Sequence, residues 1–219
     1  MFADRTDAGR QLADVVAERD LDADMVLAIP RGGLPVGRAV ADGLGVALDV
    51  VAARKLGAPS NPELAIGAVA SDGTVWRNDS LIEELGVSGT YVEATIERER
   101  EVAREKADRY RGGRSPPDVA GRTVLLVDDG IATGATAIAC IRSLKNAGVA
   151  RVVVAGPVAS PEIVDLPHVR NDEVLRDETL VHVGPAAAAY PEIESVTAQE
   201  VTANMVSDGQ FCRWPLYTS

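Results

Sequence analysis

A short stretch in the middle of the chain limits the possible folds more than any other. Val124–Val127 are four apolar residues, and two acids, Asp128 and Asp129, follow them directly. Such an apolar run predicts a strand buried on both faces, as in a parallel sheet covered by helices. The acids would then stand at the carboxyl end of that strand, where open α/β sheets bind their ligands.

The residues after the acids favour binding of a phosphate group. Ala132–Thr136 are small residues that lead into a predicted helix, whose N-terminal N–H groups suit an anion. The hydroxyls of Thr133 and Thr136 can donate further hydrogen bonds. Carboxylates beside a phosphate cradle make sense when the ligand also carries vicinal hydroxyls, as a ribose 5-phosphate group does. GxxxxGK[ST] and GxGxxG motifs do not match this segment.

The remaining sequence alternates strand and helix patterns, which predicts an α/β fold with a mainly parallel twisted sheet flanked by helices. We predict a core over residues 1–160 and a small hood or C-terminal extension over residues 161–219, where periodicity weakens. Residues 54–65 read as a mobile loop and residues 64–77 as a hairpin around Asp72-Gly73. The predicted strands are Met25–Ile29, Ala47–Ala53, Thr123–Val127 and Arg151–Ala155, and the predicted helices are Asp7–Arg19, Leu34–Leu44, Ser88–Arg111 and Ala135–Ala147.

Composition disfavours several classes of function. The net charge is −11, with 33 acidic against 22 basic residues, whereas nucleic-acid binding draws most of its affinity from basic patches. No apolar run reaches the roughly 18 residues of a membrane span. The N-terminus turns polar almost at once, so we expect no signal peptide and a cytoplasmic protein. Cys140 is expected to be a buried small hydrophobe.

Val124–Thr136 resembles the phosphoribosyl pyrophosphate signature of type I phosphoribosyltransferases: four apolar residues, two acids, two further residues and a Thr/Ser/Gly loop. Only Gly130 departs, because the family usually has an aliphatic residue there. Met25–Val158 is also similar to a group of phosphoribosyltransferases of unassigned substrate. The sequence segment from Arg54-Lys55 to Val69 is typical of that group. The resemblance implies the type I phosphoribosyltransferase fold.

The resemblance also implies roles for individual residues. Ala132, Thr133, Gly134, Ala135 and Thr136 would hold the 5-phosphate, and the pyrophosphate would be received by Arg31, Gly32, Gly33 and Lys55. Arg54 would also bind phosphoribosyl pyrophosphate. Asp128 and Asp129 would fix the ribose hydroxyls and help hold Mg²⁺, directly or through water. Lys55 would serve the transition state from the mobile loop. The competing interpretation is that Arg54 and Lys55 are simply two solvated charges at a strand end.

The implied reaction transfers the 5-phosphoribosyl group of phosphoribosyl pyrophosphate to a nitrogenous base and releases pyrophosphate. The base is left open. Ala132 stands where enzymes for 6-oxopurines usually have an Asp, which disfavours hypoxanthine and guanine. Glu63 is a candidate carboxylate over the base. The aromatic candidates for stacking, each more typical of packing, are Trp76, Tyr190, Phe211, Trp214 and Tyr217.

Two other functions stay open at this point. One is a non-catalytic regulator on the same fold that binds phosphoribosyl pyrophosphate or a nucleotide. The other is an unrelated phosphate-binding hydrolase with Asp128 as nucleophile, which would need further metal-ligand acids. Because relatives commonly pair so that one subunit completes the other's site, we also expect a homodimer.

Overall fold

A computed structural model describes residues 2–131 and 134–159, together with the backbone of residues 179–185. The helices are α1 (Arg5–Glu18), α2 (Gly33–Leu44), α3 (Asp79–Glu84), α4 (Gly89–Arg111) and α5 (Ala135–Asn146). The strands are β1 (Met25–Ala28), β2 (Ala47–Val50), β3 (Ala53–Ala58), β4 (Asn61–Ala70), β5 (Val75–Arg77), β6 (Thr123–Val127), β7 (Arg151–Ala159) and β8 (Thr179–Pro185). None of the helices in these residues is long and apolar enough to cross a membrane.

Five strands form a parallel sheet in the order β2-β1-β6-β7-β8. Alternate residues of its strands point to opposite faces, and both faces are buried. Val26, Leu125 and Val153 pack with α1 and α2, whereas Leu27, Leu126 and Val154 pack with α5. The predicted α/β class with a mainly parallel sheet flanked by helices is therefore confirmed.

The sheet extends further along the chain than predicted. β8 pairs in parallel with β7, with Val153 opposite Thr179 and Ala159 opposite Pro185. The predicted boundary at residue 160 therefore falls within the sheet and not at its end. The sequence signal failed there because hydrophobic periodicity is weak after Glu162, whereas a place at the sheet edge is decided by pairing with a distant strand.

β3, β4 and β5 form a second, antiparallel sheet, and here two predictions were wrong. The expected strand Ala47–Ala53 is two strands, because the chain leaves the parallel sheet after Val50 and Ala53 pairs with Ala70. The expected irregular loop from Arg54 is a β-hairpin, since β3 runs to Ala58 and β4 begins at Asn61. The hairpin around Asp72-Gly73 is confirmed as β4–β5.

The long helix α4 lies against β3, β4 and β2. Ser88 caps its start by accepting from the Tyr91 N–H, and Gly112 ends it in the left-handed conformation at φ 60°. At its last turn Arg111 donates to Asp49 Oδ1 at 3.2 Å and to the Val50 carbonyl at 2.7 Å. This buried ion pair fixes the end of α4 to the parallel sheet.

Candidate functional site

The site lies where the strand order of the parallel sheet reverses, between β1 and β6. β1 and β6 are adjacent central strands. From β1 the chain returns through α2 to β2 on one side, and from β6 it returns through α5 to β7 on the other. Because α2 and α5 cover opposite faces, the carboxyl ends of β1 and β6 border a crevice, which is where open α/β sheets bind ligands. The two segments singled out from the sequence follow these two strands.

Asp128 and Asp129 extend β6 into this crevice. The backbone stays anchored there, since the Asp128 N–H donates to the Ala155 carbonyl at 3.1 Å. The Asp129 N–H donates to Asp128 Oδ1 at 2.9 Å. Burial, and then the neighbouring Asp129 carboxylate, raise the pKa of Asp128 well above its usual value. Two carboxylates held this close favour a ligand that brings hydroxyl donors or positive charge.

The loop after β1 lies directly against the acid pair. A Cβ added at Gly32 would lie 1.9 Å from Asp129 Oδ2, and one added at Gly33 would lie 2.8 Å from the Val127 carbonyl oxygen. Only glycine fits this approach of loop to acids. The peptide bond between Pro30 and Arg31 is cis, and Arg31 is exposed. The structure thus brings Arg31, Gly32 and Gly33 together with Asp128 and Asp129.

The predicted phosphate loop is described in part. Ala132 and Thr133 lie outside the described residues. Gly134 stands at the N-cap of α5 with φ 74° and has no side chain with which to cap the helix start. The first N–H groups of an α-helix have no acceptor within the helix, so those of Ala135 and Thr136 suit a phosphate.

Arg5, which the sequence analysis did not single out, binds the acid pair from the first residue of α1. Its Nε and Nη2 donate to Asp129 Oδ2 at 3.0 and 2.9 Å. Both side chains are largely buried, at 14% and 28% exposure. Phe2 packs with Ala8 and Val158 beside this contact. The N-terminal segment therefore contributes to this end of the sheet.

Lys106 is the second residue that sequence reasoning missed. It is half-buried in α4, and its Nζ donates to the Pro30 carbonyl, 76 positions away in the chain. Burial, and then the Arg54 guanidinium, lower the pKa of Lys106 to about 8, while the Asp128 carboxylate acts in the opposite direction. A signal was available in the sequence: Lys106 shares a helical stripe with the buried residues Ala103, Ala107 and Tyr110.

Arg54 and Lys55 lie on β3, and successive strand residues face opposite sides. Arg54 pairs with Glu99 of α4 at 3.0 Å. Lys55 Nζ lies 2.6 Å from Glu63 Oε2 across the hairpin, and both side chains are exposed. Among the described contacts, Lys55 and Glu63 therefore meet each other and not the acid pair.

The remaining candidates have structural roles or lie elsewhere. Cys140 is buried in α5, and burial raises the pKa of its thiol, so the expectation of a small hydrophobe is confirmed. Trp76 is a core residue at 3% exposure, which excludes it as an open stacking surface. Tyr190, Phe211, Trp214 and Tyr217 lie outside the described residues. Within the described part, no group of three or more His, Cys, Asp or Glu side chains could hold a metal by itself.

Comparison with known proteins decides the family. Residues 6–185 match the family model of the phosphoribosyl transferase domain. The chain belongs to the phosphoribosyltransferase family. Membership confirms the family resemblance seen in the sequence and removes the unrelated hydrolase as an alternative.

Two relatives extend this result. A Mycobacterium tuberculosis protein named "Putative phosphoribosyl transferase" is 42% identical over 164 residues, which are 75% of this chain and 37% of that protein. The chain thus spans little more than a third of that curated relative. The crystal structure of the protein TT1426 from Thermus thermophilus is 39% identical, with a TM-score of 0.73 over 93% of this chain and 97% of that chain.

A more distant neighbour shows the fold alone. It is a hypothetical protein from Neisseria gonorrhoeae with bound ppGpp, 12% identical with a TM-score of 0.51, covering 91% of both chains. Together these results establish the family and the fold of this chain.

Proposed function

We propose that the protein transfers the 5-phosphoribosyl group of phosphoribosyl pyrophosphate to a nitrogenous base and releases pyrophosphate. One observation carries the proposal: the acid pair and the glycine loop meet in one crevice, with the start of α5 following the acid pair. These three parts match the hydroxyls, the diphosphate and the 5-phosphate of a single ligand. In the reaction a ring nitrogen bonds to C1 of the ribose, and the bond from C1 to the pyrophosphate oxygen breaks.

The residue roles follow from this match. Asp128 and Asp129 accept hydrogen bonds from the two ribose hydroxyls, and residues 132–136 donate to the 5-phosphate from the start of α5. The loop Arg31–Gly33 receives the pyrophosphate, because its glycines let backbone N–H groups come close. Arg54 adds positive charge on the same side. Positioning and preorganised charge at the leaving group then supply most of the catalysis.

Asp128 and Asp129 fit the way in which Mg²⁺ is bound in enzymes whose substrates carry phosphate groups. Mg²⁺ is commonly held by one or two carboxylates together with substrate phosphates and waters. Asp128 and Asp129 provide two carboxylates, and the described residues add no third ligand to make a complete protein cage. They would therefore hold the ion with the diphosphate, where it neutralises charge on the leaving group.

We also propose that Lys55 acts in the transition state, after phosphoribosyl pyrophosphate has bound. The hairpin that carries it ends in an exposed turn at Pro59 and Ser60, and its register shifts between Leu56 and Ala58. Such a segment can move as a lid over the crevice at low cost. Closure would carry the Lys55 ammonium from Glu63 to the pyrophosphate oxygens, and it would free the Glu63 carboxylate to approach the base.

A screen of bases with phosphoribosyl pyrophosphate and Mg²⁺, following pyrophosphate release, tests the proposed activity. We expect release to depend on one base or a few related ones and to stop when Mg²⁺ is chelated. The absence of Asp at Ala132 leads us to expect poor turnover of hypoxanthine and guanine. If binding is measurable but no base supports release, the enzymatic proposal fails.

The second candidate function is a regulator that binds phosphoribosyl pyrophosphate or a nucleotide without turnover. The neighbour with bound ppGpp supports this candidate, because a protein of similar fold binds a nucleotide. Binding without pyrophosphate release in the same screen would support it. Homodimer formation and a cytoplasmic location remain proposals, and light scattering at micromolar concentration tests the first.

A further inference from the structure

Lys106 lies on the buried side of α4 and reaches into the site. The helix face toward solvent carries exposed charges such as Glu101, Arg104 and Glu105, whereas the Lys106 side chain runs inward past the Tyr110 ring. Its ammonium ends on the Pro30 carbonyl, at a distance of 2.5 Å. A half-buried charged side chain that ends on one backbone oxygen must gain from that contact, because removing an ammonium from water is costly.

The carbonyl that Lys106 contacts belongs to a particular peptide group. It is the peptide between Pro30 and Arg31, whose other polar end is the Arg31 N–H. A charged donor on the oxygen polarises that peptide and makes its N–H a stronger donor, because linked hydrogen bonds strengthen one another. Arg31 and Gly32 directly precede α2, on the side of the loop that faces the acid pair.

The end of α4 that carries Lys106 is fixed to the parallel sheet. Arg111, five residues further along α4, is fixed to Asp49 and the Val50 carbonyl in the parallel sheet. Lys106 therefore reaches the loop from a helix whose last turn is anchored to the parallel sheet.

We propose that Lys106 is a positioning residue that orients the loop Pro30–Gly33 for the diphosphate through its hydrogen bond to the Pro30 carbonyl. This inference rests on the proposed function, because it assumes that the loop receives the diphosphate of phosphoribosyl pyrophosphate. It assigns Lys106 no contact with the ribose or the 5-phosphate, which lie with the acid pair and α5. Loss of Lys106 should therefore affect ligands with a diphosphate and spare ligands without one.

Calorimetry with two ligands tests this selectivity. Lys106→Met removes the donor, Lys106→Arg keeps a charged donor, and Arg104→Met is the matched control for charge loss on the exposed face of α4. We expect Lys106→Met to weaken binding of phosphoribosyl pyrophosphate with Mg²⁺ by about 10- to 100-fold, the scale of one charged hydrogen bond. Binding of ribose 5-phosphate should change less than about twofold, and Lys106→Arg should recover part of the loss.

The outcomes separate this inference from the proposal on which it rests. Equal loss for both ligands, or no loss for either, would overturn the positioning role while wild-type binding keeps the proposed function intact. A wild-type protein that binds neither ligand removes both. Near-ultraviolet circular dichroism checks that Lys106→Met is folded, and Lys106→Gln, which keeps a polar side chain there, replaces it if it is not.

Discussion

The two sheets carry different parts of the candidate site, and they carry them in different ways. At the carboxyl end of the parallel sheet, the acid pair and the glycine loop are packed against each other, and a side chain at Gly32 would displace the Asp129 carboxylate. On the antiparallel sheet, Lys55 and Glu63 are exposed and pair across a bulged hairpin. The acid pair and the glycine loop are thus already in contact without ligand, whereas Lys55 and Glu63 are held by one exposed ion pair.

This difference indicates when each part acts. A preformed crevice spends no binding energy on ordering and therefore supports ground-state affinity for the co-substrate. An exposed ion pair such as that of Lys55 and Glu63 contributes only about 0.2–1 kcal/mol, so it is easily exchanged. We therefore expect substitutions at the parallel sheet to change binding, and substitutions on the hairpin to change turnover.

The largest effect is expected from Asp128→Asn combined with Asp129→Asn. Two charged acceptors at about 1.5–3 kcal/mol each predict a loss of affinity of about 100- to 10,000-fold for phosphoribosyl pyrophosphate. The fold should persist, because both side chains lie just beyond the end of β6 and asparagine keeps their size and polarity. Calorimetry measures binding and thermal unfolding measures the fold. A double variant that binds as wild type does would contradict the central assignment.

The next effect concerns the hairpin. Lys55→Ala should lower turnover by about 100- to 1000-fold, the usual scale of one preorganised electrostatic contact in the transition state. Affinity for phosphoribosyl pyrophosphate without base should change much less. Steady-state kinetics and calorimetry give the two values, and Lys145→Ala, on the last turn of α5, is the matched control. Lost affinity with intact turnover would make Lys55 a simple binding residue.

The mobility of residues 54–65 stays a prediction, now for a hairpin in place of an irregular loop. Hydrogen exchange should be fast in the distal part around Pro59 and slow in β6, and phosphoribosyl pyrophosphate with Mg²⁺ should slow the hairpin amides. Slow exchange of the hairpin in the absence of ligand would argue against a lid and leave Lys55 fixed on Glu63.

The sequence predicted the parts of the site that depend on local pattern. Strand β6 has the predicted bounds Thr123–Val127, because an apolar run ended by two acids has few other interpretations. The hairpin was misread because Gly57, Pro59 and Pro62 are typical of loops. In the structure Gly57 allows close passage of Pro62, since an added Cβ would lie 2.6 Å from its carbonyl oxygen. Pairing between strands decides this segment, and no local pattern reports it.

Arg5 and Lys106 show the same limit within the site. Their contacts span 124 and 76 positions, so only the folded chain brings them to the acids and the loop. Most of the charged residues around Lys106 lie on the exposed face of α4, and among them Lys106 itself lies on the buried stripe. Arg5 begins a helix that looked like an ordinary amphipathic element. Neither residue type nor spacing indicates that its side chain ends on Asp129.

The smallest effect is expected from Arg5→Met. Arg5 places two donors on Oδ2 of Asp129, which fixes the orientation of the carboxylate toward the crevice. Without it Asp129 can rotate, and we expect affinity for phosphoribosyl pyrophosphate to fall about three- to tenfold, less than for loss of a fully buried partner. Arg10→Met, an exposed arginine on the same helix, is the control, and calorimetry is the measurement. Tighter binding by Arg5→Met would contradict this role. It would show instead that Arg5 competes with the ribose for Asp129, so that α1 lowers the affinity of the acid pair for the ligand.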